Sequence, residues 1–560
     1  MVRPRWLFVL SCIALVTSAF TFVVRGDVLQ ALGDHFQFTQ EQKGAFEGAV
    51  FLGMAISMLG GGFICDLLGM KRIMWLAFAS HIIGALGTIL MGEMDLSGSQ
   101  DNSTVFAVLY GLSFLMGCGN GFTEVAINPL VATLYPLRKT HYLNVLHAWW
   151  PGGLVIGGLL ARTVGGGLDL GFFQMDGFNL NWQGSLFLIV VPAVIYGLML
   201  LPSIFPATER VEAGVSTREM FMACLRPLFF LWAFCMLLTA STELGPQKWQ
   251  ESVMMSVTGG HVSGTLLLVY TSGMMFVLRH FAGTIVLRIS PVWMMAGSAF
   301  LSAIGLYLLS FANNTASAFG YATIFGLGIA YFWPTMLGVT AERFPKGGAL
   351  ALALMGSFGN LAVSQVLPQM GGIVDRYAVI AMQDESPELQ QEMLKRNDEG
   401  EAVALNPDEL NALDVEIVDQ LIAIQREDPA TAQQIVANEQ VYVKLEEAAA
   451  QATPKLGDLT TRALARGALD RGAIDQLAAT NDDVVVLQDL LVRRDPVRGA
   501  EAYGFSMAFR WVSTLPVVLV FLFVGIALYD TSRGGYKPEL LISDKEEAEL
   551  MTGGVEGPIE

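Results

Sequence analysis

Charge is what this chain has least of. Only 15% of its 560 residues are Asp, Glu, Lys or Arg, where a soluble protein carries about 25%. Bases are the scarcer sign, 33 against 51 acids, so no basic surface stands ready to neutralise phosphates and nucleic-acid binding is disfavoured. The five cysteines (Cys12, Cys65, Cys118, Cys224, Cys235) lie in or beside apolar runs, without C-x-x-C or Cys/His spacing. They read as small core residues rather than metal or redox ligands. No Walker loop is present, which argues against ATP drive. No nucleophile–base pair stands out either, so no enzyme, cofactor or metal is expected.

Long apolar runs are what the chain has in excess. It is 53% hydrophobic with mean hydropathy +0.50. Crossing a hydrocarbon core of about 30 Å takes about 20 helical residues, and the sequence meets that length in roughly twelve stretches. They cover residues 6–31, 44–65, 71–91, 104–130, 143–163, 184–205, 222–244, 261–283, 290–311, 316–339, 347–370 and 505–529. The first lacks an A-x-A-like cleavage site before Arg25, so it is expected to be retained as a helix.

A charged linker after Pro206 divides the spans six and six. Arg3, Arg5, Lys71, Arg72, Arg138, Lys139, Arg343 and Lys346 fall on one side by loop parity, while Asp34, Glu41, Glu93, Asp95, Asp101, Asp169 and Asp176 fall on the other. The positive-inside rule then puts both termini in the cytoplasm. Glycines followed by Asn128-Pro129 in span four and Trp333-Pro334 in span ten mark a weak internal repeat. Repeats of this kind build transporters whose solute site lies between the halves. The expected layout is a bundle at 1–205, a cytoplasmic linker at 206–221, spans seven to eleven at 222–379, an insert at 380–502, the last span at 503–530 and a cytoplasmic tail at 531–560. The insert holds about 25 of the 51 acids and faces outward by the same parity. Pro387, Pro407, Pro429 and Pro454, each after a capping residue, read as helix starts within it. Tyr442 is its only aromatic residue, so a small core and a helical outer cap are expected.

Polar residues inside apolar runs carry the chemistry, because an intramembrane acid is costly to insert. Asn120, Glu124 and Asn128 recur at i, i+4 and i+8, on one face of a helix. They line either a solute and proton site or a polar helix–helix seam. Thr239, Glu243 and Gln247 repeat the spacing in span seven, with a solvated helix end as the other reading. Arg25 and Asp27 in span one form either a structural pair or a functional site. Span five presents Asn144 and His147, then Trp149-Trp150, whose indoles suit a sugar face or an interfacial belt. Asn360 belongs to a polar stripe in span eleven.

Between spans two and three lies Gly62-x-x-x-Asp66-x-x-Gly69-x-Lys71-Arg72. This stretch closely resembles the signature of the major facilitator superfamily. Glu124-x-x-x-Asn128-Pro129 and Leu143-Asn144-Val145-Leu146-His147 are similar to segments of its fucose/hexose:proton symporter branch. The resemblance implies an all-α membrane protein of twelve transmembrane helices, in two pseudo-symmetric six-helix bundles, with the helical insert between helices eleven and twelve. It further implies that Glu124 binds solute and couples protons, with Asp27 as the nearest match for a second acid, and that Gly62, Asp66, Gly69, Lys71 and Arg72 serve conformational switching.

The expected function is secondary active transport of a small polar solute, a sugar foremost, by alternating access with proton symport. The expected setting is the cell inner membrane, with the lipid bilayer around a monomer. The expected solute-binding residues are Asn120, Glu124, Asn128, Asn144, His147, Trp150, Gln247 and Asn360, and the proton-coupling residues Glu124, Asp27 and Glu243. Two alternatives remain: an efflux antiporter for drugs or organic anions, to which Arg25 or Arg279 would be suited, and a transporter-like nutrient sensor.

Overall fold

In lipid a backbone must satisfy its own polar groups, which a helix does within one segment. The computed structural model accordingly is almost wholly helical. It describes residues 2–36, 40–93, 102–165, 168–169, 174–175, 178, 180–258, 264–286, 288–382, 392–396, 400–405, 407–437, 439–450, 469–539 and 541. The first half comprises α1 (Pro4–His35), α2 (Gln40–Leu68), α3 (Met70–Glu93), α4 (Asn102–Leu134), α5 (Lys139–Val164) and α6 (Trp182–Leu200). A two-stranded antiparallel ribbon, β1 (Leu168–Asp169) with β2 (Gln174–Met175), separates the last two.

The linker folds into α7 (Glu209–Glu212) and α8 (Thr217–Cys224). The Ser216 hydroxyl accepts from the Glu219 N–H, and the Glu219 side chain accepts from the Ser216 N–H, so α8 starts with a capping box. The second half follows as α9 (Pro227–Thr258), α10 (Gly264–His280), the short α11 (Ala282–Val286), α12 (Pro291–Leu309), α13 (Thr315–Ile329), α14 (Phe332–Arg343) and α15 (Gly348–Met382).

Eleven helical stretches among the described residues are long and apolar enough to cross a membrane. The eighth expected span corresponds to α10, whose described part is 17 residues long. The tenth is broken at Ala330–Tyr331 into α13 and α14. Large apolar side chains such as Leu67, Leu198, Phe300 and Phe521 are exposed on the outer faces, as a lipid-facing surface requires. One core of buried side chains runs through both halves, and all five cysteines are buried in the fold.

The helices on either side of the insert run into it. After α15 come the antiparallel β3 (Leu394–Arg396) and β4 (Ala402–Leu405), then α16 (Pro407–Glu427), α17 (Pro429–Ile435), α18 (Glu439–Ala449) and α19 (Arg471–Leu477). The chain returns through α20 (Asp482–Val512), turns at Ser513 and ends in α21 (Thr514–Ser532). Helices α16 and α17 begin at Pro407 and Pro429, while the starts expected at Pro387 and Pro454 lie outside the described residues. The insert has its own core, built from aliphatic side chains: Leu413, Ile417, Leu421, Ile435, Leu487 and Leu491 pack with Ala378, Val379 and Met382 of α15. Leucine and isoleucine bury enough surface to do without aromatic rings. Arg494 is fully buried there, tied to Asp414 at 2.6 Å and Glu501 at 3.3 Å.

Candidate functional site

Three prolines shape the centre of the molecule. A helical proline removes the N–H that the carbonyl four residues earlier would accept. Pro129 in α4 thereby frees the Val125 carbonyl, Pro151 in α5 frees that of His147, and Pro334 in α14 frees that of Ala330 at the α13–α14 break. Each freed carbonyl has a side-chain donor. The Cys65 thiol approaches the first at 3.6 Å. Arg279 serves the other two, donating Nη1 to His147 at 2.7 Å and Nε to Ala330 at 2.6 Å. Since His147 lies in the first half and Ala330 in the second, one guanidinium joins both.

Acids from both halves surround this arginine. Arg279 Nη2 donates to Glu243 Oε1 at 3.0 Å. On the facing bundle Asn128 donates Nδ2 to Glu124 Oε2 at 2.7 Å, and His147 Nε2 lies 3.0 Å from Asn128 Oδ1 and 3.7 Å from Glu124 Oε2. Glu124 is 3% exposed, Glu243 4% and Arg279 1%. Glu124 is within electrostatic range of Arg279. Two carboxyl groups and one guanidinium thus share a site closed to solvent in this conformation. Fully ionised, the cluster would bury one uncompensated negative charge, which is strongly unfavourable. With one bound proton it is neutral.

The other candidates lie around or apart from this cluster. Asn144 donates to the Thr140 carbonyl at 2.9 Å and across the halves to Thr335 Oγ1 at 3.1 Å, and its Oδ1 is buried without a partner. Gln247 reaches Met275 Sδ at 3.4 Å. Trp150 packs on Phe22 at 4.9 Å between centroids. Asn360 donates to its own helix at Gly356 and faces Met58 Sδ of α2 at 3.6 Å. Asn120 points elsewhere: its amide bonds Thr21 at 2.9 Å and His81 at 3.0 Å, and His81 in turn meets the Tyr196 hydroxyl at 3.0 Å. Arg25 does not pair with Asp27. Arg25 meets Glu47 at 2.9 Å, Ser113 at 2.8 Å and the face of Phe46, while Asp27 meets Arg162 at 3.1 Å.

A second polar assembly closes the end of the molecule that carries the linker. Asp66 accepts from Thr208 and Arg210 of the linker, both at 2.7 Å. Gly69 turns the chain with φ +83, Lys71 donates to the Ser203 carbonyl at 2.6 Å, and Arg72 to that of Leu68 at 3.2 Å. A Cβ on Gly62 would lie 2.6 Å from Ala353 of α15, so α2 and α15 touch there. Lys139, fully buried, pairs with Glu209 at 2.6 Å. Glu342 of α14 crosses to the first half, accepting from Thr140 N and Oγ1 at 3.0 and 2.7 Å. The tail after α21 reaches the same residue: Tyr536 donates its hydroxyl to Glu342, and the Glu539 N–H bonds the Glu342 carbonyl at 2.7 Å. Sequence reasoning missed Thr208, Arg210, Glu342, Tyr536 and His81. The signals for this end were the Gly62–Arg72 motif and the clustering of bases in its loops.

Comparison with known proteins adds to this geometry. The family profile described as Major Facilitator Superfamily matches residues 7–364. The cis,cis-muconate transport protein of Acinetobacter baylyi is 24% identical over 379 residues, covering 62% of this chain and 84% of the relative. The gentisate transporter of Corynebacterium glutamicum is 22% identical over 396 residues, covering 66% and 79%. Among solved structures, the Escherichia coli fucose:proton symporter superposes with a TM-score of 0.51 at 15% identity, covering 65% of this chain and 90% of its own. A D-xylose-proton symporter gives 0.50 at 14%, covering 65% and 90%. At these identities the superpositions establish the fold.

Proposed function

The chain belongs to the major facilitator superfamily and is a secondary transporter embedded in a membrane; from that premise we propose that it moves a small polar organic solute together with protons across the cell inner membrane. The observation that carries this reading is the buried cluster of Glu124, His147, Arg279 and Glu243, drawn from both halves and neutral only when protonated. Glu124 is the proposed coupling acid. Its partners Asn128 and His147 can serve either protonation state, since an amide and an imidazole both donate and accept. Alternating access then exposes the cluster to one side at a time.

The end that carries the linker is assigned to the cytoplasm, because Arg3, Arg5, Lys71, Arg72, Arg138, Lys139, Arg343 and Lys346 cluster there. On that assignment the insert lies outside.

Two solute classes fit. A sugar is supported by Asn128, Asn144 and the Trp150 indole, and the fucose:proton and D-xylose-proton symporters share this fold. An organic acid is supported by Arg279, and muconate and gentisate are named in the curated relatives. Uptake of labelled sugars and labelled small carboxylic acids into proteoliposomes, with and without a pH gradient, tests the reading. Accumulation of one solute above equilibrium only under an inward proton gradient is expected. Equal uptake in both conditions by every solute would end it.

A further inference from the structure

On the reading that the central cluster is the proton-coupled solute site, we propose that the solute carries a carboxylate, and that this carboxylate takes the place of Glu243 on Arg279. A guanidinium has five N–H groups. Two bonds hold it to the proline-freed carbonyls of His147 and Ala330, and a third goes to Glu243. The backbone bonds keep Arg279 in position when its acid leaves, and three N–H groups, including the one Glu243 vacates, remain for a newcomer.

Glu243 is the replaceable partner. It meets Arg279 through Oε1 alone, while Oε2 is turned away from the guanidinium and buried by the Trp333 backbone. A one-point pair is weaker than the two-point pair that a guanidinium makes with a well-placed carboxylate. A solute offering both oxygens therefore outcompetes it. The groups facing Arg279 from the packed elements are Glu243 of α9, Glu124 of α4, His147 of α5 and Tyr331 at the α13–α14 break, whose hydroxyl donates to the Leu278 carbonyl at 2.9 Å.

Charge balance fixes the stoichiometry. In the empty carrier opened to water Glu124 and Glu243 are ionised, Arg279 is cationic and His147 is neutral, leaving one negative charge that water solvates; burying the empty site again requires one proton. In the loaded carrier the solute carboxylate sits on Arg279, the displaced Glu243 has taken a proton to form an O–H, and Glu124 has taken another. That cluster is neutral. Binding to the open carrier therefore takes up one carboxylate and two protons. A neutral sugar coupled through Glu124 alone would leave the Arg279–Glu243 pair intact and need one proton.

The test is titration of the purified full-length protein with benzoate and adipate by calorimetry across a pH series, with D-galactose as the neutral probe. The acids are expected to bind with an uptake of about two protons, read from the slope of log Kd against pH. Arg279→Met should weaken acid binding by tenfold or more. Because Arg279 also braces two backbones, Glu243→Gln is the decisive variant: it should still bind the acids, with proton uptake reduced by one. An unchanged slope in Glu243→Gln overturns the exchange. If D-galactose binds with proton uptake and neither acid binds, the solute class is wrong while proton-coupled transport stands. If neither acids nor D-galactose take up protons on binding, the underlying reading falls with it.

Discussion

Pro151 and Arg279 complement each other across the two halves. The proline withholds the N–H that the His147 carbonyl would accept, and Arg279 supplies one at 2.7 Å from the opposite bundle. A helix defect thus becomes an inter-bundle bond. Pro151→Ala would return that carbonyl to its own helix. Folded yield should hold, since alanine is the better helix former, while transport should fall several-fold. In a double-mutant cycle with Arg279→Lys, a coupling of about 0.5–3 kcal/mol is expected. Additive effects on transport would show that the two positions act independently.

Glu124→Gln keeps size and hydrogen bonding but cannot ionise. Proteoliposomes carrying it should lose accumulation driven by a pH gradient and retain exchange of solute across the membrane. Glu124→Ala should also weaken binding by about 1–3 kcal/mol, because Asn128 loses its buried acceptor. Uphill accumulation by the Gln variant would transfer the coupling role to Glu243.

Asp66 holds the linker through Thr208 and Arg210. Asp66→Asn removes charge-assisted bonds worth about 2 kcal/mol, roughly a 30-fold shift away from the closed linker end. Accessibility of a cysteine placed at Thr133, whose hydroxyl accepts from the Glu209 N–H of the linker at 3.1 Å, should rise while equilibrium solute binding stays close to wild type. A large loss of binding in well-expressed protein would instead make Asp66 part of the solute site.

The tail should act on the same closure. Burial and the neighbouring Glu342 carboxylate push the Tyr536 phenol well above its ordinary range, so it remains a proton donor throughout the neutral pH range. Tyr536→Phe should loosen the linker end by about 1.5–3 kcal/mol. Deletion from residue 533 onward should do at least as much. Unchanged accessibility at Thr140 in both variants would reduce the tail to a bystander.

Topology can be read with a single label. Glu427 is exposed at the end of α16 in the insert, and the native cysteines are buried. Glu427→Cys should react with a membrane-impermeant thiol reagent in intact cells. Labelling only after lysis would invert the orientation.

The all-helical membrane fold was legible because each span needs about twenty apolar residues and little else. Partner choice was not legible. Arg25 and Asp27 stand two positions apart in sequence, yet the fold gives them to Glu47 and Arg162 on other helices, since neighbours at i and i+2 do not face each other on a helix. The same limit separated Asn120 from Glu124: spacing put them on one face, but His81 and Thr21 of adjacent helices claimed the amide. Proline positions were visible, and so were the carbonyls they free. That one arginine from a distant helix would serve two of them is a property of packing. In the insert the absence of aromatics was noticed, while the leucine and isoleucine spacing that builds its core carried the stronger signal.

Helix α20 enters the membrane directly from the insert, and α15 leaves the membrane directly into it. At 1.5 Å per residue a 31-residue helix is about 46 Å long. It is a lever whose fulcrum lies in the second half, with Pro496 near its midpoint as the place where it can bend. Rocking that half by about ten degrees would sweep the far end through roughly 8 Å. A lever of this kind would gear the insert to the transport cycle, and a pair of fluorophores on it and on the first half would then register each stroke as a change in distance.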